Sequence, residues 1–419
     1  MMRTRFVILL AALALLVPFA TASAQGGPSY PLAAISGGNV YLFGFGDAPI
    51  QVTGTPAQNT LSMAWSPSGQ YLAFTRWDEN YALVLWLYDQ QAGGAPVQVA
   101  SGLTSGLPVT FSADNQLVYA VDTGQFEQSE VGPGGSITDV YTFDPATGTP
   151  QQIGTFTFGV GCGGGSSSPA DWRYWAEAGT GPGIAHAVFA LTPEGLVYSM
   201  RCTGSGVALL NMQSGASTVL SDTMGNAVVS PDGMRVAGVA DGQLAVIDLA
   251  TGQSTPVASQ PGTDQVAWGA DGTSLFYSTR QETGRTLPAT PDEQQQLAQA
   301  LGASDPSMLE FPVMTVGLYQ VALADGTEST LYISEAYAIG RILPTPDGAA
   351  VLFSEIPNLD LWVQQVISGQ INPTADVGQQ QLDTVPVTLF ALSLVDGSVT
   401  AVGTDLNQAV LNTAAYGGA

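Results

Sequence analysis

The chain holds 419 residues, 45% of them hydrophobic, with 50 glycines and 26 prolines. That is ample to bury a core, and the wealth of turn formers favours many short strands over long helices. All nine cationic side chains are arginines, set against 34 acidic ones for a formal net charge of −25, so nucleic acid is not expected as a partner. Two cysteines and a single histidine, His186, are too few for a zinc site, and no metal is assigned.

The first element in chain order is an export signal. Arg3 and Arg5 precede an apolar run from Phe6 to Val17, then Pro18, then Ala22-Ser23-Ala24. A basic start, a short apolar middle and an Ala-x-Ala end describe a cleavable secretory peptide, residues 1–24, with Gln25 as the first mature residue. The run is short for a membrane span and Pro18 interrupts it, and no later segment is long and apolar enough to cross a bilayer. The mature chain, 25–419, is read as one exported domain of the periplasm, cell surface or medium.

Three strands are predicted next, at Leu32–Ile35, Val40–Phe43 and Ile50–Val52. From there a turn recurs between short apolar runs. Its copies are Ser66 to Gly69, Ser112 to Asn115, Thr192 to Gly195, Ser230 to Gly233, Gly269 to Gly272 and Thr345 to Gly348. Glycine supplies the left-handed position of such a turn, and aspartate bonds its own backbone two residues on. The glycines at 195, 233 and 272 stand 38 and 39 residues apart, and the wider gaps contain insertions. Each unit reads as four strands, a to d, with the turn between a and b. Four antiparallel strands repeated radially predict an all-β fold, a seven-bladed β-propeller, with six or eight blades as alternatives. A lone strand at 409–416 completes the three of 32–54 as a split blade, which removes exposed strand edges.

The stretch Ala64 to Phe74, followed by Leu85 to Asp89, resembles the WD40-like repeat of TolB-type propellers, and the copy at 227–248 is similar. The resemblance extends over roughly residues 30–416. It implies a propeller fold and leaves the function open.

The a–b and c–d turns are short throughout. The long insertions, 122–138, 155–185, 280–313 and 355–386, all fall in b–c or d–a connections, which share one face of a propeller. Two of them carry short helices. Thr290-Pro291-Asp292-Glu293 is a capping box leading to Gly302, and Leu359, Trp362, Val363, Val366 and Ile367 share a helical face that stops at Gly369. Cys162 and Cys202 map to the same face and are expected to form a disulfide in an oxidising compartment.

Candidate binding residues concentrate there. Arg76, Arg201 and Arg280 share the end of strand b with Asp122 and Asp241, a register that could mark a site for carboxylates or other anions, with ion pairs between blades or from loop to blade as the plainer reading. Trp77, and Trp172, Arg173 and Trp175 in the 155–185 link, are residue types of binding hot spots and of sugar stacking, though packing on the rim explains them as well. Asp122, Glu127 and Glu130 offer weak Ca²⁺ binding at most. No nucleophile elbow, P-loop or dinucleotide pattern is present, and no cofactor is expected. The leading expectation is therefore a non-enzymatic binder of a protein or glycan. A carbohydrate-active lyase or hydrolase, and a structural component of the cell surface, are the alternatives.

Overall fold

The computed structural model describes residues 31–43, 48–54, 58–104, 107–127, 135–159, 187–200, 206–371 and 387–413. In chain order, β1 (Leu32–Ser36), β2 (Asn39–Phe43) and β3 (Ile50–Gln51) come first. Six four-stranded antiparallel meanders follow. The first contains β4 (Gln58–Trp65), β5 (Tyr71–Trp77), β6 (Leu83–Asp89) and β7 (Val97–Ser101). The second contains β8 (Thr110–Phe111), β9 (Leu117–Glu127), β10 (Gly135–Asp144) and β11 (Thr149–Gly159). The third contains β12 (Phe189–Thr192), β13 (Gly195–Ser199), β14 (Val207–Leu210) and β15 (Ser217–Ser221). The fourth contains β16 (Gly225–Val229), β17 (Arg235–Ala240), β18 (Gln243–Asp248) and β19 (Ser254–Pro256). The fifth contains β20 (Thr263–Trp268), β21 (Ser274–Leu287), β22 (Phe311–Ala322) and β23 (Glu328–Ser334). The sixth contains β24 (Ala338–Pro344), β25 (Ala350–Ile356), β26 (Thr388–Ser393) and β27 (Val399–Thr404). The last strand, β28 (Asn407–Leu411), pairs with β1 and makes the seventh sheet, ordered β28-β1-β2-β3.

The sheets close a ring. First strands touch from sheet to sheet, β28 to β4, β4 to β8, β8 to β12, β16 to β20, β20 to β24 and β24 back to β28, and β16 meets β13. These strands line a central channel. The fold is a seven-bladed β-propeller.

The core lies between neighbouring blades. Ala237 and Leu244 of blade four meet Val266, Leu275 and Tyr277 of blade five, and Leu32 and Ala34 meet Leu352, Leu389, Ala409 and Leu411 across the closing seam. Middle strands are covered on both faces, so they read as unbroken apolar runs, as β13 does from Gly195 to Ser199. Outer strands such as β3 and β19 are exposed.

The recurring turn has a definite construction. In the fourth blade Gly233 N–H donates to Ser230 O (2.9 Å), Arg235 N–H donates to the buried Ser230 Oγ (2.9 Å), and that hydroxyl donates to Asp232. Gly233 has φ 71°, a left-handed value that Asn115 reaches at 63° in its copy. Thr345 repeats the pattern with Ala350 (3.0 Å) and Asp347 (2.6 Å). Two copies depart from it. Thr192 and Gly195 are paired directly across a tight hairpin, with Gly195 at φ 142°. Gly269 has no hydroxyl, and a Cβ there would stand 2.5 Å from Ser274 Oγ, so a serine one strand later fills the gap.

Two of the insertions are longer sheets rather than loops. The 122–138 segment continues β9 to Glu127 and starts β10 at Gly135, and β21 runs on to Leu287 against β22 from Phe311. Beyond the ring the chain turns polar and exposed, as in Gln281 to Thr286, so both hairpins stand in solvent. Helix α1 (Pro291–Leu301) is capped by Thr290 Oγ1, which accepts from Glu293 N–H (3.3 Å), and ends at Gly302 with φ 65°. Helix α2 (Asp360–Ile367) buries Trp362, Val363 and Val366. Leu297 of α1 joins them, with Phe311, Met314 and Tyr337, in a small separate core over blades five and six.

Candidate functional site

The inner strands share an irregularity at one end. Four consecutive blades place two residues of the first strand opposite one residue of the second, just after the strand begins. Asn226 and Ala227 face Gly238, Asp264 and Gln265 face Ser278, Gly340 and Arg341 face Ser354, and Gln408 and Ala409 face Ala34. An extra residue of this kind bends the strand and re-aims its side chain. Asn226 and Gln408 take positive φ, 51° and 53°. The backbone N–H that leaves the ladder needs another acceptor. Buried serines supply it: Gln265 N–H donates to Ser278 Oγ (3.0 Å), Arg341 N–H to Ser354 Oγ (2.8 Å) and, in blade three, Val188 N–H to Ser199 Oγ (2.9 Å).

The result is a polar collar at the channel end where the b–c and d–a connections lie. Gln265 and Gln408 are buried in it, and Asn226 Nδ2 donates to Asp264 O, tying blade four to blade five. Arg280, one residue beyond Thr279, stacks on the Tyr337 ring (5.2 Å) and sits 3.8 Å from the Asp264 carboxylate. Arg76 belongs to the same end of the first blade. Burial lowers its pKa, yet a guanidinium stays charged at neutral pH. Four of the five arginines among the described residues, Arg76, Arg280, Arg285 and Arg341, stand toward this end, and Arg235 toward the other.

The elaborations rise around the collar. Thr157 Oγ1 donates to Glu127 (2.6 Å) and braces the tall hairpin of blade two, with Phe126 exposed on it. Arg285 bonds Glu335 on the arm of blade five.

Of the residues singled out in the sequence, Arg76 and Trp77 lie together at the end of β5. Trp77 is half-buried against the core shared by blades one and two. Asp122 and Arg280 are not strand ends, since β9 and β21 continue past them. Asp122 Oδ1 accepts from Gly124 N–H (2.8 Å). Trp172, Arg173, Trp175, Arg201, Cys162, Cys202, His186 and Glu130 lie outside the described residues. Among the described residues no group of three or more His, Cys, Asp or Glu side chains is placed to hold a metal ion. Asp264, Gln265, Tyr337, Arg341 and Gln408 were missed by the sequence reading. Except for Tyr337, which precedes its strand, their signal was a polar residue interrupting an apolar inner strand, as in Thr263-Asp264-Gln265-Val266.

No family model and no curated protein matches the chain. Solved structures do. An oligogalacturonate lyase from Vibrio parahaemolyticus aligns over 78% of this chain and 88% of its own, with 11% identity and a TM-score of 0.50. TolB from Acinetobacter baumannii aligns over 74% of this chain and 65% of its own, with 15% identity and a TM-score of 0.41. A protein from Lactobacillus plantarum aligns over 90% and 96%, with 15% identity and a TM-score of 0.47. Identities this low establish likeness of fold, and the propeller's job has to be read from its own residues.

Proposed function

We propose that the protein is an exported, non-enzymatic propeller that binds a protein or glycan at the elaborated end of its channel. One observation carries the reading: the displaced residues of four successive inner strands lie at the same end as the described insertions, the tall hairpins of blades two and five and the helices α1 and α2. Drift would lengthen turns at both ends, because surface insertions cost little. Bulges that re-aim polar side chains are a feature of working sites. In this reading the collar supplies oriented hydrogen-bonding groups. Trp77, Trp172 and Trp175, with Arg76, Arg173 and Arg201, supply stacking area and positive charge. Export follows from removal of residues 1–24, and a Cys162–Cys202 bridge restrains the 155–185 link.

The test is a pull-down from secreted fractions and a glycan array, run on wild type, on Gln265→Ala/Arg341→Ala and on Trp172→Ala/Trp175→Ala. The control is Gln213→Ala/Gln253→Ala, exposed in c–d turns at the opposite end. Binding is expected to fall with the first two pairs and to survive the control, with the melting transition intact. Loss with the control pair alone overturns the assignment of the face.

A further inference from the structure

The other mouth of the channel is built differently. There the inner strands run into the a–b turns and border an open cavity of about 570 Å³. Trp65, Trp268, Pro231, Ala270, Pro344 and Pro346 are among its apolar lining residues. Both indole N–H groups are already satisfied by the preceding blade. Trp65 Nε1 donates to Val410 O (3.3 Å) and Trp268 Nε1 to Val228 O (3.0 Å), so both rings are held in place, Trp65 part-exposed and Trp268 buried to 8%. Arg235 lies 4.9 Å from the Trp268 ring centre, which shows that this indole already accepts a guanidinium on its face.

The rim is anionic by construction. The repeated turn places a carboxylate directly after a cavity-lining residue in three blades: Asp232 after Pro231, Asp271 after Ala270 and Asp347 after Pro346. All three are exposed. Hydrogen bonds from Ser230, Thr273 and Thr345 hold them below the usual carboxylate range, so they are ionised at neutral pH. Asp114 and Glu194 continue the ring on blades two and three, and the c–d turns add Asp89, Asp144, Asp248, Asp325 and Asp396. Among the described residues Arg235 is the cation at this end, and it is engaged with Asp232 at 3.3 Å.

We propose that the turn-side mouth is a second binding site, taking a basic peptide segment whose proline or aromatic side chain enters the Trp65–Trp268 cavity while its arginines or lysines meet the carboxylate ring. An apolar cavity alone does not choose an occupant. An acidic rim around an apolar cavity favours a positively charged ligand and repels an acidic one. The site is independent of the collar at the opposite end, so the two readings stand or fall separately.

A bead-displayed library of short random peptides, selected against the immobilised full-length protein, tests this directly. Enriched peptides are expected to carry net positive charge with proline or aromatic residues. Their affinity should fall roughly tenfold or more in Ala270→Trp, which fills the cavity, and in Asp271→Asn/Asp347→Asn, which removes charge while keeping the turn bonds. It should also weaken with salt. Selection of neutral or acidic peptides, binding that Ala270→Trp leaves unchanged, or no enrichment at all would overturn the proposal. Unchanged melting of the asparagine variant keeps misfolding from mimicking the expected loss.

Discussion

At the scale of single residues, the recurring turn makes opposite demands in different blades. Ser230 is buried and its hydroxyl closes the turn in both directions, so Ser230→Ala leaves the Arg235 N–H without its side-chain acceptor. The expected loss is about 1–3 kcal/mol by urea unfolding. Restoring that serine where the chain lacks it should do harm. Gly269→Ser drives a side chain into Ser274 Oγ, 2.5 Å from the position of its Cβ, and is expected to cost about 1–3 kcal/mol. Adding Ser274→Ala should recover most of the loss. A stabilised Gly269→Ser single variant would show that the turn has room the structure denies it. The sequence shows the six turns as copies, but only packing shows that the Gly269 copy moved its hydroxyl to the next strand.

At the scale of elements, helices α1 and α2 form a satellite core. Leu297, Trp362 and Val363 are buried with Phe311 and Met314 on the arm of blade five. Leu297→Ala should cost about 2–5 kcal/mol if the propeller and the helices unfold together. Hydrogen exchange is the sharper readout. Protection should drop in 291–301 and 360–367 while β17 and β18 keep theirs, because the cavity lies in a region with its own contacts. Equal loss everywhere would mean one cooperative unit. Both helices were readable from sequence, since capping and periodicity are local. That they share one core over two blades was not, since Leu297 and Trp362 are brought together only by the sheets beneath them.

Blade-to-blade contacts include a polar clamp with a pH signature. Glu328 accepts from Ser259 N–H (2.7 Å), Ser259 Oγ (2.7 Å), Gln260 and Tyr277 OH (3.1 Å), joining the link after blade four to blade five. Burial pushes its pKa up, but the donors outweigh burial and the net shift is downward. A lowered folded-state pKa gives stability that is present above the unfolded value, near 4.3, and lost as pH falls through the folded value. The melting temperature should therefore drop on acidification below about pH 4, and less steeply in Glu328→Gln. An identical slope in the variant would remove Glu328 from the account.

For the whole molecule, charge and closure dominate. With a net charge of −25, self-repulsion opposes the compact state, so added salt should raise the melting temperature at neutral pH, as scanning calorimetry would show. Closure rests on β28 filling the inner position beside β1, where Ala409 and Leu411 complete the seam with Leu32 and Leu352. Ending the chain after Leu406 strips β1 of its neighbour and opens an apolar edge. Self-association on size-exclusion chromatography is the expected result. A monomeric, native-melting truncation would show that the ring does not depend on this seam.

Sequence alone determined the blade. Turn chemistry, strand spacing and helix caps act over a few residues, so Ser230 to Gly233 or Thr290 to Glu293 declares its structure wherever it stands. Seven was also the leading count from sequence, because three strands at 32–54 and one near the end suit each other as partners, and the pairing of β28 with β1 decided it against six or eight. Tertiary structure decided what the channel offers at each mouth. Asp264, Arg341 and Gln408 come from separate blades, as do Trp65 and Trp268, and nothing local marks them as neighbours. A ring brings residues hundreds of positions apart into one wall, as when the Trp65 indole donates to Val410 O. That proximity arises from blades packing edge around axis, a long-range condition that no window of sequence contains.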